Sequence, residues 1–260
     1  MNFQKGKGIG WCDATWNPLT GCLGPRGDGV RCPYCYANKL AQNRLKSQYL
    51  RYNLRLAGNA DDPFAPRFWA NRLWEPSHRR RPAKIFVCNQ GELFGSWLDE
   101  DIVKIILERI KACPQHTFQL LTKQPQNLIK FSPFPDNCFV GVSATTNSDF
   151  LRAIDYLPYV KASIKFISFE PLLAPIPDAN LTGIDWIIIG GKSGKDPFYP
   201  PPTWRQAIEN EADKLGIPIF EKDNLFPHPQ DRHLRREFPS LGVRTPNLDP
   251  PAEDDSQGKE

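Results

Sequence analysis

From Lys84 onward the chain alternates between two hydrophobic patterns. Short apolar runs rich in Ile, Val and Phe recur at Ile85–Cys88, Phe118–Leu121, Phe139–Val142, Ile164–Phe169, Trp186–Ile189 and Ile217–Phe220. Each is too short for a core helix and reads as a strand. Between several of them the period becomes helical. Asp99 to Ala112 carries Ile102, Val103, Ile105, Ile106 and Ile110 as its expected apolar face, with acidic residues in the first turn. Asn147 to Leu157 is a second helix, with Asn147 as the expected N-cap. Thr203 to Leu215 is a third, stopped by Gly216. Strand and helix in alternation give a parallel sheet, and uninterrupted apolar strands imply that both of its faces are covered.

The residues that follow the strands are polar and varied: Asn89-Gln90-Gly91-Glu92, Thr122-Lys123, Ser143, Glu170, Gly190-Gly191-Lys192-Ser193 and Glu221-Lys222. A (β/α) barrel gathers all such positions on one rim, whereas a doubly wound sheet gathers only those at its switch point. The expectation is therefore an α/β fold, a full or partial (β/α) barrel of six or seven parallel strands, the seventh near Trp11–Trp16. One domain would span residues 1–238. It would include an N-terminal loop over 11–37 and an insertion or cap over 49–83, and a disordered, Pro- and acid-rich tail would follow over 239–260.

Composition narrows the class. With 260 residues, 40% hydrophobic and 24% charged, the chain can build a normal core, and its net charge of +4 permits an acidic partner without requiring one. No apolar run approaches the roughly 18–20 residues of a membrane span, and residues 1–10 have no signal-peptide core, so no membrane contact and a cytoplasmic location are expected. Seven cysteines, an odd number, argue against a disulfide framework in that compartment. Cys88 and Cys138 lie in strand runs and read as small buried hydrophobes; Cys113, at a helix end, has no assigned role.

Cys22, Cys32 and Cys35 are different. They share a Gly- and Pro-rich stretch, Gly21-Cys22-Leu-Gly-Pro-Arg-Gly-Asp-Gly-Val-Arg-Cys32-Pro-Tyr-Cys35-Tyr36, whose backbone can wrap a compact object. Thiolates select zinc, copper(I) or iron–sulfur clusters. Three readings follow: an iron–sulfur cluster with one iron left open, a zinc site with Cys12 as fourth ligand, or inert thiols. On the zinc reading the protein is a non-catalytic barrel that docks nucleic acid. A hydrolase using Glu92 and Glu170 as an acid–base pair is a further alternative, which leaves the cysteines unexplained.

The Cys22…Cys32-Pro-Tyr34-Cys35 arrangement resembles the cluster loop of radical S-adenosylmethionine enzymes, whose usual spacing is C-x-x-x-C-x-aromatic-C. It is more closely similar to a phage-associated, radical-SAM-like three-cysteine-motif family. The matching stretches are Trp16-Asn17-Pro18-Leu19-Thr20-Gly21-Cys22, Cys32-Pro-Tyr-Cys35-Tyr36-Ala37, Leu121-Thr122-Lys123, Gly141-Val142-Ser143, Ser168-Phe169-Glu170-Pro171-Leu172-Leu173 and Gly190-Gly191-Lys192-Ser193-Gly194. Two departures stand out. The gap between Cys22 and Cys32 is longer than usual, and Lys192 stands where that family carries an acidic residue.

The resemblance implies a [4Fe–4S] cluster on Cys22, Cys32 and Cys35, S-adenosylmethionine as cofactor, an electron donor, and hydrogen abstraction from a substrate by an adenosyl radical. It assigns Tyr34 to the adenine side and Gln90-Gly91-Glu92 to the methionine ammonium. Ser143 and Glu170 fall to the ribose or sulfonium side, and Gly190 and Gly191 to close backbone approach. From the residues themselves, Lys123 and Lys222 are candidates for a phosphate or carboxylate of the substrate. Arg79–Arg81, with Arg232, His233, Arg235 and Arg236, are candidates for a nucleic-acid backbone. The plainer reading of these cations is a solvated surface. A nucleotide or nucleic acid as substrate is analogy with phage-associated relatives.

Overall fold

In a computed structural model, residues 1–4, 8–51, 54–227 and 233–240 are described. The main sheet contains β1 (Asn2–Phe3) and β2 (Ala14–Trp16). A separate two-stranded sheet pairs β3 (Leu19–Thr20) with β4 (Arg67–Phe68), with α1 (Tyr36–Gln42) and α2 (Lys46–Arg51) between them in sequence. The main sheet continues with β5 (Lys84–Val87), β6 (Thr117–Thr122), β7 (Cys138–Ser143), β8 (Ile164–Phe169), β9 (Trp186–Ile189) and β10 (Ile219–Glu221). Its order is β1-β2-β5-β6-β7-β8-β9-β10; β1 is antiparallel to β2, and the other seven strands are mutually parallel in chain order. Among the described residues the sheet does not close on itself.

Three crossovers carry the expected helices: α3 (Glu100–Lys111), α4 (Asn147–Tyr156) and α5 (Pro202–Leu215). In α3 the Asp99 side chain accepts from Asp101 N at 2.9 Å, and Glu100 and Asp101 complement the helix dipole. Two sequence expectations need correcting. The buried face of α3 is Val103, Ile106, Leu107 and Ile110, while Ile105 is 45% exposed. At about 100° per residue, Ile105 falls about 200° from Val103, on the opposite side. The N-cap of α4 is Thr146, whose hydroxyl accepts from Asp149 N; Asn147 is already the first helical residue. Gly216 ends α5 with φ of 67°, the left-handed conformation that glycine adopts freely.

Strand side chains alternate between two cores. Ile85, Val87, Phe118, Val140, Ile167, Ile187 and Ile219 pack under the helices. Phe86, Phe139, Phe166, Trp186, Ile188 and Phe220 point the other way and surround Trp11. Trp11 lies 4.5 Å from Phe86 on β5 and 6.3 Å from Trp186 on β9, centroid to centroid. In a flat sheet those strands would stand about 19 Å apart. One indole meets both, so the sheet is curled, with the aromatic cluster on its concave face. Both faces are therefore covered, as the apolar strands required.

The described part of the 49–83 segment is packed into the molecule. Phe64, Ala65, Phe68 and Trp69 are buried, and the Arg67 side chain, 1% exposed, donates to the carbonyls of Pro63, Ala65 and Ala60. Trp69 donates its ring N–H to Thr20 Oγ1 at 2.8 Å and its backbone N–H to Pro18 O at 2.7 Å, fixing the segment beneath the chain that leads to Cys22. Of the 239–260 stretch expected to be a tail, 241–260 lie outside the described residues. Among the described residues, no helix is long and apolar enough to cross a membrane.

Candidate functional site

Parallel strands end on the same side of a sheet, so the polar residues that follow them share one rim. The cysteine segment enters this rim through Gly21. Its φ is +90°, and a Cβ there would lie 2.4 Å from Ala65 O, so both conformation and space require glycine. Gly21 N donates to Gln90 O at 2.8 Å, Glu92 N donates to Gly21 O at 3.1 Å, and Cys22 N donates to Phe64 O at 3.0 Å. A Cβ on Gly91 would sit 3.0 Å from Thr20 Cα. The turn after β5 and the approach to Cys22 are thus stitched together.

The long gap between Cys22 and Cys32 folds on itself. Gly27 N donates to Gly24 O and Gly29 N to Leu23 O, with Gly24, Gly27 and Gly29 all at positive φ. Arg31 holds the loop down: its Nε donates to Cys22 O at 3.0 Å, its guanidinium pairs with Asp62, and it lies 5.1 Å from the Phe64 ring. Cys35 is the N-cap of α1, its sulfur accepting from Asn38 N at 3.3 Å, while Cys22 Sγ accepts from Gly24 N at 3.1 Å. Burial, with a smaller push from the Glu92 carboxylate, raises the Cys22 thiol to about 12; burial also raises Cys35.

All seven cysteines are free. Cys88 and Cys138 are buried as expected, and Cys113 Sγ lies 3.4 Å from Ser77 Oγ. Cys12 belongs to the aromatic cluster of the concave face, its Sγ 3.7 Å from Ile9 O, whereas Cys22 and Cys35 pack against the cluster of Tyr49, Phe64 and Trp69. Among the described residues, no three His, Cys, Asp or Glu side chains are gathered around a common point as ligands of one metal ion. A cube-shaped cluster places its thiolates on different irons, so its ligands stand farther apart than those of a single ion.

Further along the rim, Glu92 is buried and committed. Its Oε1 accepts from Thr122 Oγ1 at 2.7 Å and Phe94 N at 3.1 Å, and its Oε2 accepts from Lys123 N at 3.0 Å. Burial raises its pKa against these donors. Lys123 Nζ donates to Ser143 Oγ at 2.8 Å and lies 5.7 Å from the Tyr34 ring centroid. Tyr34 O–H reaches Thr145 Oγ1 at 3.4 Å, and burial raises its pKa. Tyr34, Glu92, Lys123 and Ser143 are therefore brought together. Ser168, opposite Ser143 in the ladder, has a buried hydroxyl with no partner among the described residues.

Glu170, Gly190, Gly191 and Lys222 form a neighbouring set. Lys222 pairs with Glu170. A Cβ on Gly190 would lie 3.0 Å from Asn224 Oδ1 and 3.1 Å from Glu170 Cγ; one on Gly191 would lie 2.4 Å from Asn224 O. These glycines admit the turn after β10 rather than leave open space. Asn224 Nδ2 donates to Gly191 O and Ser193 Oγ, and Lys192 is engaged through its backbone with Phe198.

The structure adds residues that the sequence did not single out. Tyr36 O–H donates to Asn89 O at 2.6 Å and accepts from Asn89 Nδ2 at 2.9 Å. Asn17 Nδ2 donates to Asn89 Oδ1, and Asn17 Oδ1 accepts from Gln90 N. This chain ties the Cys35-Tyr36 step to the end of β5. Asn17 precedes Pro18 inside the Trp16–Cys22 motif, which is the signal that could have marked it; Arg31, Thr145 and Asn224 carry no comparable mark.

A profile for one family, described as protein of unknown function (DUF5131), matches residues 6–231. The chain belongs to that family. No curated protein and no solved structure matches it. In this DUF5131 chain the matched span reaches from before β2 to beyond β10, and so includes the cysteine loop and every strand end of the rim. A groove of about 930 Å³, lined by Lys104, His116, Lys130 and Phe134 among others, lies elsewhere, against α3 and the starts of β6 and β7.

Proposed function

We propose that this protein is a radical S-adenosylmethionine enzyme with a [4Fe–4S] cluster on Cys22, Cys32 and Cys35, at the mouth of a partial (β/α) barrel. The observation that carries the reading is the seam between Gly21 and Gly91, which fastens a three-thiol, glycine-rich loop to a polar strand end of the rim. Seven parallel strands in chain order, curled around an aromatic plug, favour the barrel. The donor set fits the group. It holds three soft thiol ligands, two of which already accept backbone N–H bonds of the kind that tune iron–sulfur thiolates.

When bound, the cluster supplies one electron for reductive cleavage of S-adenosylmethionine. The chain's own residues bind and orient. Gly91 keeps the β5 turn against the loop, and Glu92 braces that turn to Lys123. Tyr34 offers an aromatic face beside Ser143. The buried Ser168 hydroxyl, without a partner among the described residues, is a free hydrogen-bonding group at this end of the concave face. Glu170, Gly190 and Gly191 form the opposite side of the mouth. Of the two lysines, Lys123 is better suited to an anionic group of the substrate, because it donates to a hydroxyl whereas Lys222 is neutralised by Glu170. A nucleotide or a nucleic acid is the substrate class in keeping with such a group. A reducing cytoplasm with an electron donor is the setting the site needs.

Anaerobic purification with iron and sulfide analysis, and electron paramagnetic resonance with and without S-adenosylmethionine, tests this. About four irons per chain are expected, with a signal that changes on adding the cofactor. Cys22→Ser, Cys32→Ser or Cys35→Ser should abolish iron binding, and Cys12→Ser should not. Stoichiometric zinc without iron after attempted reconstitution overturns the reading.

A further inference from the structure

The basic residues divide into two kinds. Arg235 is paired with Asp213 and Glu237, and Arg236 with Asp223, so both are consumed internally. His233 is exposed, and Arg232 lies outside the described residues. Arg79, Arg80, Arg81, Arg109 and Lys111 are different: among the described residues none of them makes an ion pair. They lie at the N-terminal ends of the strands, away from the rim. Arg79–Arg81 run into the start of β5, and Arg109 and Lys111 close α3 just before β6.

Two exposed aromatic rings stand among them. Trp74 is 54% exposed with the Arg109 guanidinium 3.5 Å from its centroid, and Phe3 is 43% exposed with Arg79 at 4.4 Å. The parts are held on one face. Met1 N pairs with Glu75, beside Trp74; Gln115 Nε2 donates to Arg79 O at 3.0 Å; His116 Nε2 contacts Pro76 O at 3.1 Å. Successive turns, Ser77 N to Trp74 O and Arg79 N to Pro76 O, shape the segment.

We infer that this face binds a single-stranded nucleic acid. Unpaired arginines supply sites for phosphates, and each exposed ring keeps a face on which a base can stack. The exposed rings favour a single strand over a duplex, whose bases are already stacked. The inference does not rest on the reading of the rim.

The test is fluorescence anisotropy on the full chain with labelled single strands of about 20 nucleotides, DNA and RNA, against the matching duplex, from about 50 to 200 mM salt. Single strands should bind more tightly than duplex. Trp74→Ala should weaken binding about tenfold. The triple change Arg79→Ala, Arg80→Ala, Arg81→Ala should weaken it further and reduce the salt slope by about two. Thermal melts should show both variants folded, since the residues are at the surface, and Arg109→Ala provides an independent single change. Failure to bind at the lowest salt, equal binding of duplex or of anionic vesicles, or full affinity in the folded variants overturns the inference.

Discussion

Asp149 takes three donors at once: Thr145 N at 3.1 Å, Thr145 Oγ1 at 2.8 Å and Arg152 Nη2 at 2.7 Å. Burial opposes its charge, but these bonds and the nearby Lys123 outweigh burial and hold the carboxyl below the usual carboxylate range. A depressed folded-state pKa contributes stability that is present above the unfolded value, about 3.9, and is lost as pH falls through the folded value. Asp149→Asn should therefore cost about 1–3 kcal/mol near pH 7. Melts followed by circular dichroism should show the gap from the parent closing below about pH 4; a gap that stays constant into acid would exclude the carboxylate as its source. Thr145 in turn receives the Tyr34 hydroxyl, so the acid holds one wall of the rim. At this scale Tyr34, Glu92, Lys123 and Ser143 could be singled out from the sequence, and they lie near one another. Their partners could not, because Arg31 reaches Asp62 far along the chain and Tyr34 reaches Thr145, contacts that no local pattern marks.

The helix α3 shows where reading elements from sequence succeeds and where it stops. Its ends were legible because caps and charges are local: Asp99 accepts the first-turn N–H, and Arg109 and Lys111 sit in the last turn. Its buried stripe was misread because five β-branched residues crowd two turns and only the angle separates them. Ile106→Ala should cost about 2–5 kcal/mol, while Ile105→Ala should fall within about 0.5 kcal/mol of the parent. Urea titrations that found the two equal would contradict the placement of the helix. The strands were legible for a related reason: short apolar runs rich in Ile, Val and Phe are decided as strands by their length and residue type. The seating of the 49–83 segment was not, because Trp69 and Arg72 donate to Thr20 and to Asn17 O, far away in sequence, which composition cannot reveal.

For the whole molecule, the curl of the sheet depends on what its last edge does. Residues 235–238 run along β10. Glu221 N donates to Arg235 O at 2.9 Å, Glu237 N donates to Ile219 O at 3.0 Å, and Trp186 Nε1 donates to Glu237 O at 3.0 Å. This strap covers an edge that would otherwise be open for pairing. It also carries Phe238 to Trp186 and Phe220, at 5.5 and 5.4 Å, and under the Lys84 ammonium, 3.6 Å from the ring. Lys84 begins β5, four positions from β9 in the sheet order, so only a curled sheet lets one ring touch both. Sequence periodicity specifies strands but not their curvature, which is why the strap was assigned to no element and its arginines were grouped with the nucleic-acid candidates. Phe238→Ala should destabilise the protein by about 2–4 kcal/mol and Lys84→Ala by less. In a double-mutant cycle the pair should couple by about 0.5–2 kcal/mol. Strict additivity in urea titrations would mean that the first and last parts of the sheet do not meet, and the curled trough, with the rim it gathers, would have to be abandoned.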